Sequence, residues 1–127
     1  MHAKRPFFPV RPIRDVKAVY ARQSSCFGDC GVVTVDFEPG AEGVVFEVAV
    51  PLDIHGFTDI DQAELYSFQA ALEEGIREEL AELDAVTTAA VTVVLRSMEV
   101  HAQDSRPRSF RAAGRIAVHA AFALTES

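Results

Sequence analysis

The segment from Asp61 to Leu83 most constrains what this chain can fold into. Leu65, Phe68, Leu72, Ile76, Leu80 and Leu83 recur every three or four residues, one apolar stripe of a long α-helix. Asp59 or Asp61 can cap its start. Segments of a different period flank it. Val16, Ala18 and Tyr20 alternate with Lys17, Val19 and Ala21, a strand expected to end near Gln23. Val33, Val35 and Phe37 alternate with Thr34, Asp36 and Glu38 until Pro39-Gly40 interrupts them. Val44, Phe46, Val48 and Val50 form a third apolar face, closed by Pro51. After the helix, Val91, Val93 and Leu95 make a fourth. A second helix starts near Pro107, with Phe110, Ala113, Ile116, Ala117, Ala120 and Ala121 as its stripe. The order βββαβα predicts a two-layer α+β sandwich, a four-stranded sheet with both helices on one face.

Finer expectations follow. Short turns between the first three strands suggest an antiparallel meander. Leu52–Ile60 and Met98–Arg108 read as loops. Glu73, Glu74, Arg77, Glu78 and Glu82 fall mostly off the apolar stripe and read as a solvated face. Gly75 inside the first helix costs about 1 kcal/mol relative to alanine, so a close packing contact is expected there. The alanines of the second helix, with Gly114, would let it lie close to the sheet.

At 127 residues the chain reads as one domain over 15–127, large enough to bury a core without metal or disulfide staples. Residues 1–14 hold three prolines among basic residues and are expected to form an extended arm. That arm carries +4, so the remainder carries −11 of the net −7. An acidic body opposes binding to phosphate backbones. No apolar run approaches a membrane span, and the basic start lacks the apolar stretch of a signal peptide, so the expected location is cytoplasmic and no membrane partner is expected.

Two separated stretches read as pieces of a single domain pattern. One is Arg22-Gln23-Ser24, a loop of small residues, and the strand-like Val32-Val33-Thr34-Val35-Asp36-Phe37. The other is His101, Asp104-Ser105, Phe110 and Arg111-Ala112-Ala113-Gly114-Arg115-Ile116-Ala117. With Ala70–Glu79 between them, they resemble domain IV of elongation factor G, the arm that reaches the ribosomal decoding site. The resemblance covers roughly residues 15–122. It implies the fold of ribosomal protein S5 domain 2, and two loops meeting at a tip that contacts RNA or a partner. The tip residues it implies are Gln23, Ser24, Ser25, Phe27, Gly28, Asp29 and Gly31 with His101, Asp104 and Ser105. Phe27 stands where the family has arginine and Asp29 where it has glutamine, which removes a cation and adds an anion.

The resemblance implies a non-catalytic, translation-associated ribosome-binding protein with ribosomal RNA as partner. The alternative is a protein-interaction module, with a protein partner or a second copy, that keeps the fold and has lost RNA binding. No Gly-x-x-x-x-Gly-Lys-Ser/Thr sequence occurs, so these residues hold no phosphate cradle for GTP. Asp104-Ser105 beside His101 invites a nucleophile reading, but no oxyanion-hole motif accompanies it, and ending the loop or capping the second helix is the simpler role. No cofactor is expected. Cys26, Cys30 and His101 could hold zinc if the two loops meet. A Cys26–Cys30 disulfide is disfavoured in a reducing cytosol.

Overall fold

The structure, a computed structural model, describes residues 6–21, 30–56, 60–101 and 105–125. It is a two-layer α+β sandwich. The elements are β1 (Phe7–Phe8), β2 (Ile13–Ala21), β3 (Cys30–Pro39), β4 (Gly43–Gly56), α1 (Gln62–Glu82), β5 (Thr88–Val100) and α2 (Pro107–Thr125), with a 3-10 turn at Leu83–Ala85. Strand β3 pairs antiparallel with β2 on one side and with β5 on the other.

Strand β4 does not extend a meander, contrary to the pattern of short turns. It pairs parallel with β5, Val44 opposite Val91 and Phe46 opposite Val93. Both edges of β3 are already taken, so the chain crosses the end of β5, and Gly40 N donates to Ala90 O at 2.8 Å on the way. A parallel pair needs a long crossover, and α1 supplies it.

Strands β4 and β5 also run further than their alternation suggests. Leu95 pairs with Val35 but Ser97 with Thr34, so Arg96 is an inserted residue. This bulge reverses the alternation, and Met98 and Val100 face the core as Leu95 does. In β4, Val48 pairs with Leu95 and Asp53 with Ser97. Residues 49–52 loop out there, and Val50 is 97% exposed. Residues read as loop are therefore strand.

A third bulge lies in β2, where Arg14 and Asp15 together oppose Asp36, and Asp15 has φ 58°. Asp36 is buried on the sheet face away from the helices. Its carboxylate accepts from Asp15 N at 2.9 Å and from Arg96 Nε at 2.7 Å, so one side chain holds the bulges of both neighbouring strands. Burying a carboxylate is tolerable only with such partners.

The core lies between the sheet and the two helices. Val33, Val35, Phe37, Val91, Val93 and Leu95 meet Phe68, Leu72, Ile76, Phe110, Ala113 and Ala117. The N-terminal arm is part of this packing. Phe8 is buried edge-on against Phe37, and Thr87 Oγ1 and Thr88 N donate to Pro6 O.

The helices cross almost backbone to backbone. A Cβ on Gly75 would lie 2.0 Å from Arg111 O, and one on Gly114 2.5 Å from Leu72 O. The packing contact expected at Gly75 exists, and its partner is α2. Gly114 serves that same crossing rather than the sheet. Val118 takes the buried place expected of Ile116.

Acidic residues of α1 are not simply solvated either. Arg111 pairs with Glu78 at 2.6 and 2.8 Å, and Arg115 with Glu78, Glu79 and Glu82. His119 Nε2 lies 2.6 Å from the buried Glu79 carboxylate. The hydrogen bond from Arg111 holds the Glu78 carboxyl below its usual 4.5.

Candidate functional site

The loop end of the sheet is assembled by strand register. Ala21 pairs with Cys30 and Tyr20 with Gly31, while Val32 lies opposite Glu99. His55 and Gly56 lie opposite Glu99 and Val100. Ala21, Cys30, Gly56 and Val100 therefore all lie at one end of the sheet.

Ser105 ties the start of β3 to the end of β5. Its amide donates to His101 O at 2.9 Å. Its hydroxyl accepts from His101 N at 2.9 Å and donates to Cys30 O at 2.9 Å. A hydroxyl can donate once and accept twice, so one buried side chain serves both loops. Gly31 completes the joint, because a Cβ there would lie 2.8 Å from Ser109 O at the start of α2.

Of the residues expected at this end, Gln23, Ser24, Ser25, Cys26, Phe27, Gly28, Asp29 and Asp104 lie outside the described residues. Cys30, Gly31, His101 and Ser105 are brought together. Ser105 closes its loop and joins it to β3, a structural role for the hydroxyl. His101 Nε2 is buried, 3.8 Å from Glu99 Oε1, with no hydrogen-bond partner among the described residues. Cys30 is fully buried and disulfide-bonded, so this sulfur is not a thiolate ligand in this state. Among the described residues, no three His, Cys, Asp or Glu side chains are grouped to hold a metal ion.

The structure adds cations that the tip pattern left out. Arg106 and Arg108 are exposed on either side of Pro107, directly after Ser105. They line a 550 Å³ groove with Glu64, Ser67, Phe68, Ser105 and Pro107, between the starts of α1 and α2. Lys17 lines a second hollow of 330 Å³ with Thr34, His55, Ser97 and Glu99, on the open sheet face. The sequence Arg-Pro-Arg was the readable signal for the first. His55 Nε2 and Asp53 Oδ2 lie 2.9 Å apart, within hydrogen-bond distance, beside the second.

No family model matches the chain, and no curated protein does. Its fold is nonetheless a recurrent one. It is similar to the crystal structure of ttk003000868 from Thermus thermophilus, with a TM-score of 0.55 and 20% identity. The match covers 84% of this chain and 16% of that one. At this identity the likeness is one of fold. The chain thus spans a small part of the length of a protein in which the same architecture is embedded. No helix among the described residues is long and apolar enough to cross a membrane.

Proposed function

We propose that this chain is a non-catalytic, translation-associated binding module that engages the ribosome through its loop end, in the manner of the elongation factor G arm it resembles. The observation that carries this reading is the Ser105 joint. It fixes Cys30 and His101 to each other, so the roots of the two resembling loops are held as a single surface. The exposed Arg106 and Arg108 beside that joint supply positive charge where a phosphate backbone would approach. The two-layer α+β architecture agrees with the fold that the resemblance implies. The partner is ribosomal RNA, and the location is cytoplasmic.

The test is co-sedimentation with ribosomal subunits across a salt series. Retention at low salt that weakens as salt rises supports the reading, and absence from both subunits at low salt overturns it. A second reading, a protein-interaction module, is favoured by the net charge of −7 and by apolar residues at the opposite end. There Phe7 is 48% and Val10 73% exposed, beside a 350 Å³ groove with Pro39 and Ala90. A pull-down that recovers a single protein and no ribosomal particles would select it.

A further inference from the structure

We propose that β4 is an acceptor edge, to which an extended segment of a partner protein adds as a further strand, apolar on one face and carrying arginine or lysine on the other. Strands β2 and β4 are outer strands of the sheet, and they are finished differently. On β2 the core-facing side chains are closed in: Ile13, Val16 and Ala18 are at most 8% exposed. On β4 the corresponding row, Val44, Phe46, Val48, Leu52 and Ile54, packs against the core but is only partly buried. A 320 Å³ groove lies beside it, where Val44 and Ala89 face Leu80 and Ala81 of α1. The apolar layer is open along this edge, and one more strand would close it.

The backbone offers the same opening. Among the described strands β4 pairs with β5 alone. Alternate residues of such a strand turn N–H and C=O groups outward, the template for strand addition. Residues 49–52, which loop out and include Pro51, interrupt that template. Gly43–Val48 pairs with β5 without a shift of register and contains no proline, so it is the accepting stretch.

Charge selects the occupant. Glu47 is exposed on the open sheet face, and Glu42 is exposed just before the strand. Arg77, the cation lining the groove, is paired with Glu73 at 2.8 Å. Side chains of an added strand alternate between the two faces. Its basic residues would stand beside Glu47, where opposite charges on neighbouring strands attract. Its apolar residues would continue the row of Val44, Phe46 and Val48. A second copy is the poorer occupant, because it brings the same acidic edge and a net charge of −7. Gly43–Val48 lies at the far end of β4 from Gly56, so this surface is distinct from the loop end assigned to RNA.

The test titrates the isotope-labelled full chain with a short blocked peptide that alternates arginine and valine, read by amide NMR shifts. Saturable shifts concentrated on Gly43–Val48 are expected. A control alternating glutamate and valine should bind at least about tenfold more weakly. So should a peptide of equal positive charge with proline in place of valine, which lacks those backbone donors. Glu47→Lys, an exposed change, should weaken the basic peptide at least about threefold and strengthen the acidic one. Absence of shifts at about 1 mM basic peptide overturns the proposal, since that marks affinity too weak for specific recognition. Shifts centred on β2 or on the loop end, equal binding of the control peptides, or unchanged affinity in Glu47→Lys overturn it too. Self-association through β4 without peptide, read by sedimentation velocity, does the same by making a second copy the occupant. If Glu47→Lys does not fold, the contrast among the three peptides on the wild type decides. None of these readouts involves ribosomes, so they stand apart from the co-sedimentation result.

Discussion

The Ser105 hydroxyl donates to the backbone carbonyl of Cys30 at 2.9 Å, across 75 residues of sequence. The same oxygen accepts from His101 N. Removing it strands a buried carbonyl and an amide together. Ser105→Ala is therefore expected to cost about 1–3 kcal/mol, the penalty of leaving buried polar groups unpaired. Urea unfolding should show a lower midpoint with an unchanged slope, because the same surface is exposed on unfolding.

The helix crossing tolerates no methyl group. Gly75→Ala would place its Cβ 2.0 Å from Arg111 O, and that neighbour is backbone, which cannot swing away. Alanine's better helix propensity, worth about 1 kcal/mol, is expected to be outweighed. We expect a net loss of about 1–3 kcal/mol for Gly75→Ala and for Gly114→Ala, the usual range for overpacking. A thermal melt in which either variant is more stable than the wild type would contradict this.

Asp36 tests the bulge arrangement. Asp36→Ala leaves Asp15 N and Arg96 Nε without their acceptor on the open sheet face. Hydrogen bonds to a charged group are worth about 1.5–3 kcal/mol, and a loss of about 2–3 kcal/mol is expected. Asp36→Asn keeps one acceptor oxygen and should lose less. Chemical denaturation of both variants gives the comparison, and equal losses would show that the charge and second oxygen are irrelevant.

The helix seam has an acid limb. The Arg111 hydrogen bond lowers the Glu78 carboxyl from 4.5 in the folded protein. A depressed carboxyl contributes stability above its unfolded value, and the contribution disappears as pH falls through the folded value. Glu78→Gln should therefore melt below the wild type at neutral pH, with the gap closing below about pH 4.5. The seam is exposed, so added salt should narrow the gap as well. Melting curves from pH 3 to 7 measure both effects, and a pH-independent gap would assign the loss to packing.

The arginines beside Ser105 give a quantitative test of RNA contact. If each neutralises one phosphate, Arg106→Ala with Arg108→Ala should make the slope of log affinity against log salt shallower by about 1.8. Filter binding of ribosomal RNA fragments at several salt concentrations measures it. An unchanged slope would place the contact elsewhere on the molecule.

Much of this could be read from the chain. The stripe from Leu65 to Leu80 and the alternation through Val33, Val35 and Phe37 reach the structure as α1 and β3, because each pattern puts a continuous apolar face toward the core. Gly75 was legible as a close contact. The parallel placement of β4 was not, because alternation defines which face is buried and carries no information about the neighbouring strand. The strand character of Met98–Val100 was hidden by the Arg96 bulge, which shifts the period by one residue. At the loop end, resemblance brought Cys30, Gly31, His101 and Ser105 together. It did not foresee that Ser105 would be the joint, that His101 Nε2 would be buried, or that the exposed Arg106 and Arg108 would follow it.

By itself, then, the sequence determined the α+β class, the order of its main elements and the apolar faces of both helices, since these depend on neighbours along the chain. The tertiary structure decided that β5 lies between β3 and β4, that Gly75 meets α2, and that Asp36 serves two bulges. Those are contacts between residues far apart in sequence. They exist only once close packing and the pairing of buried polar groups have selected one arrangement among those the local patterns permit.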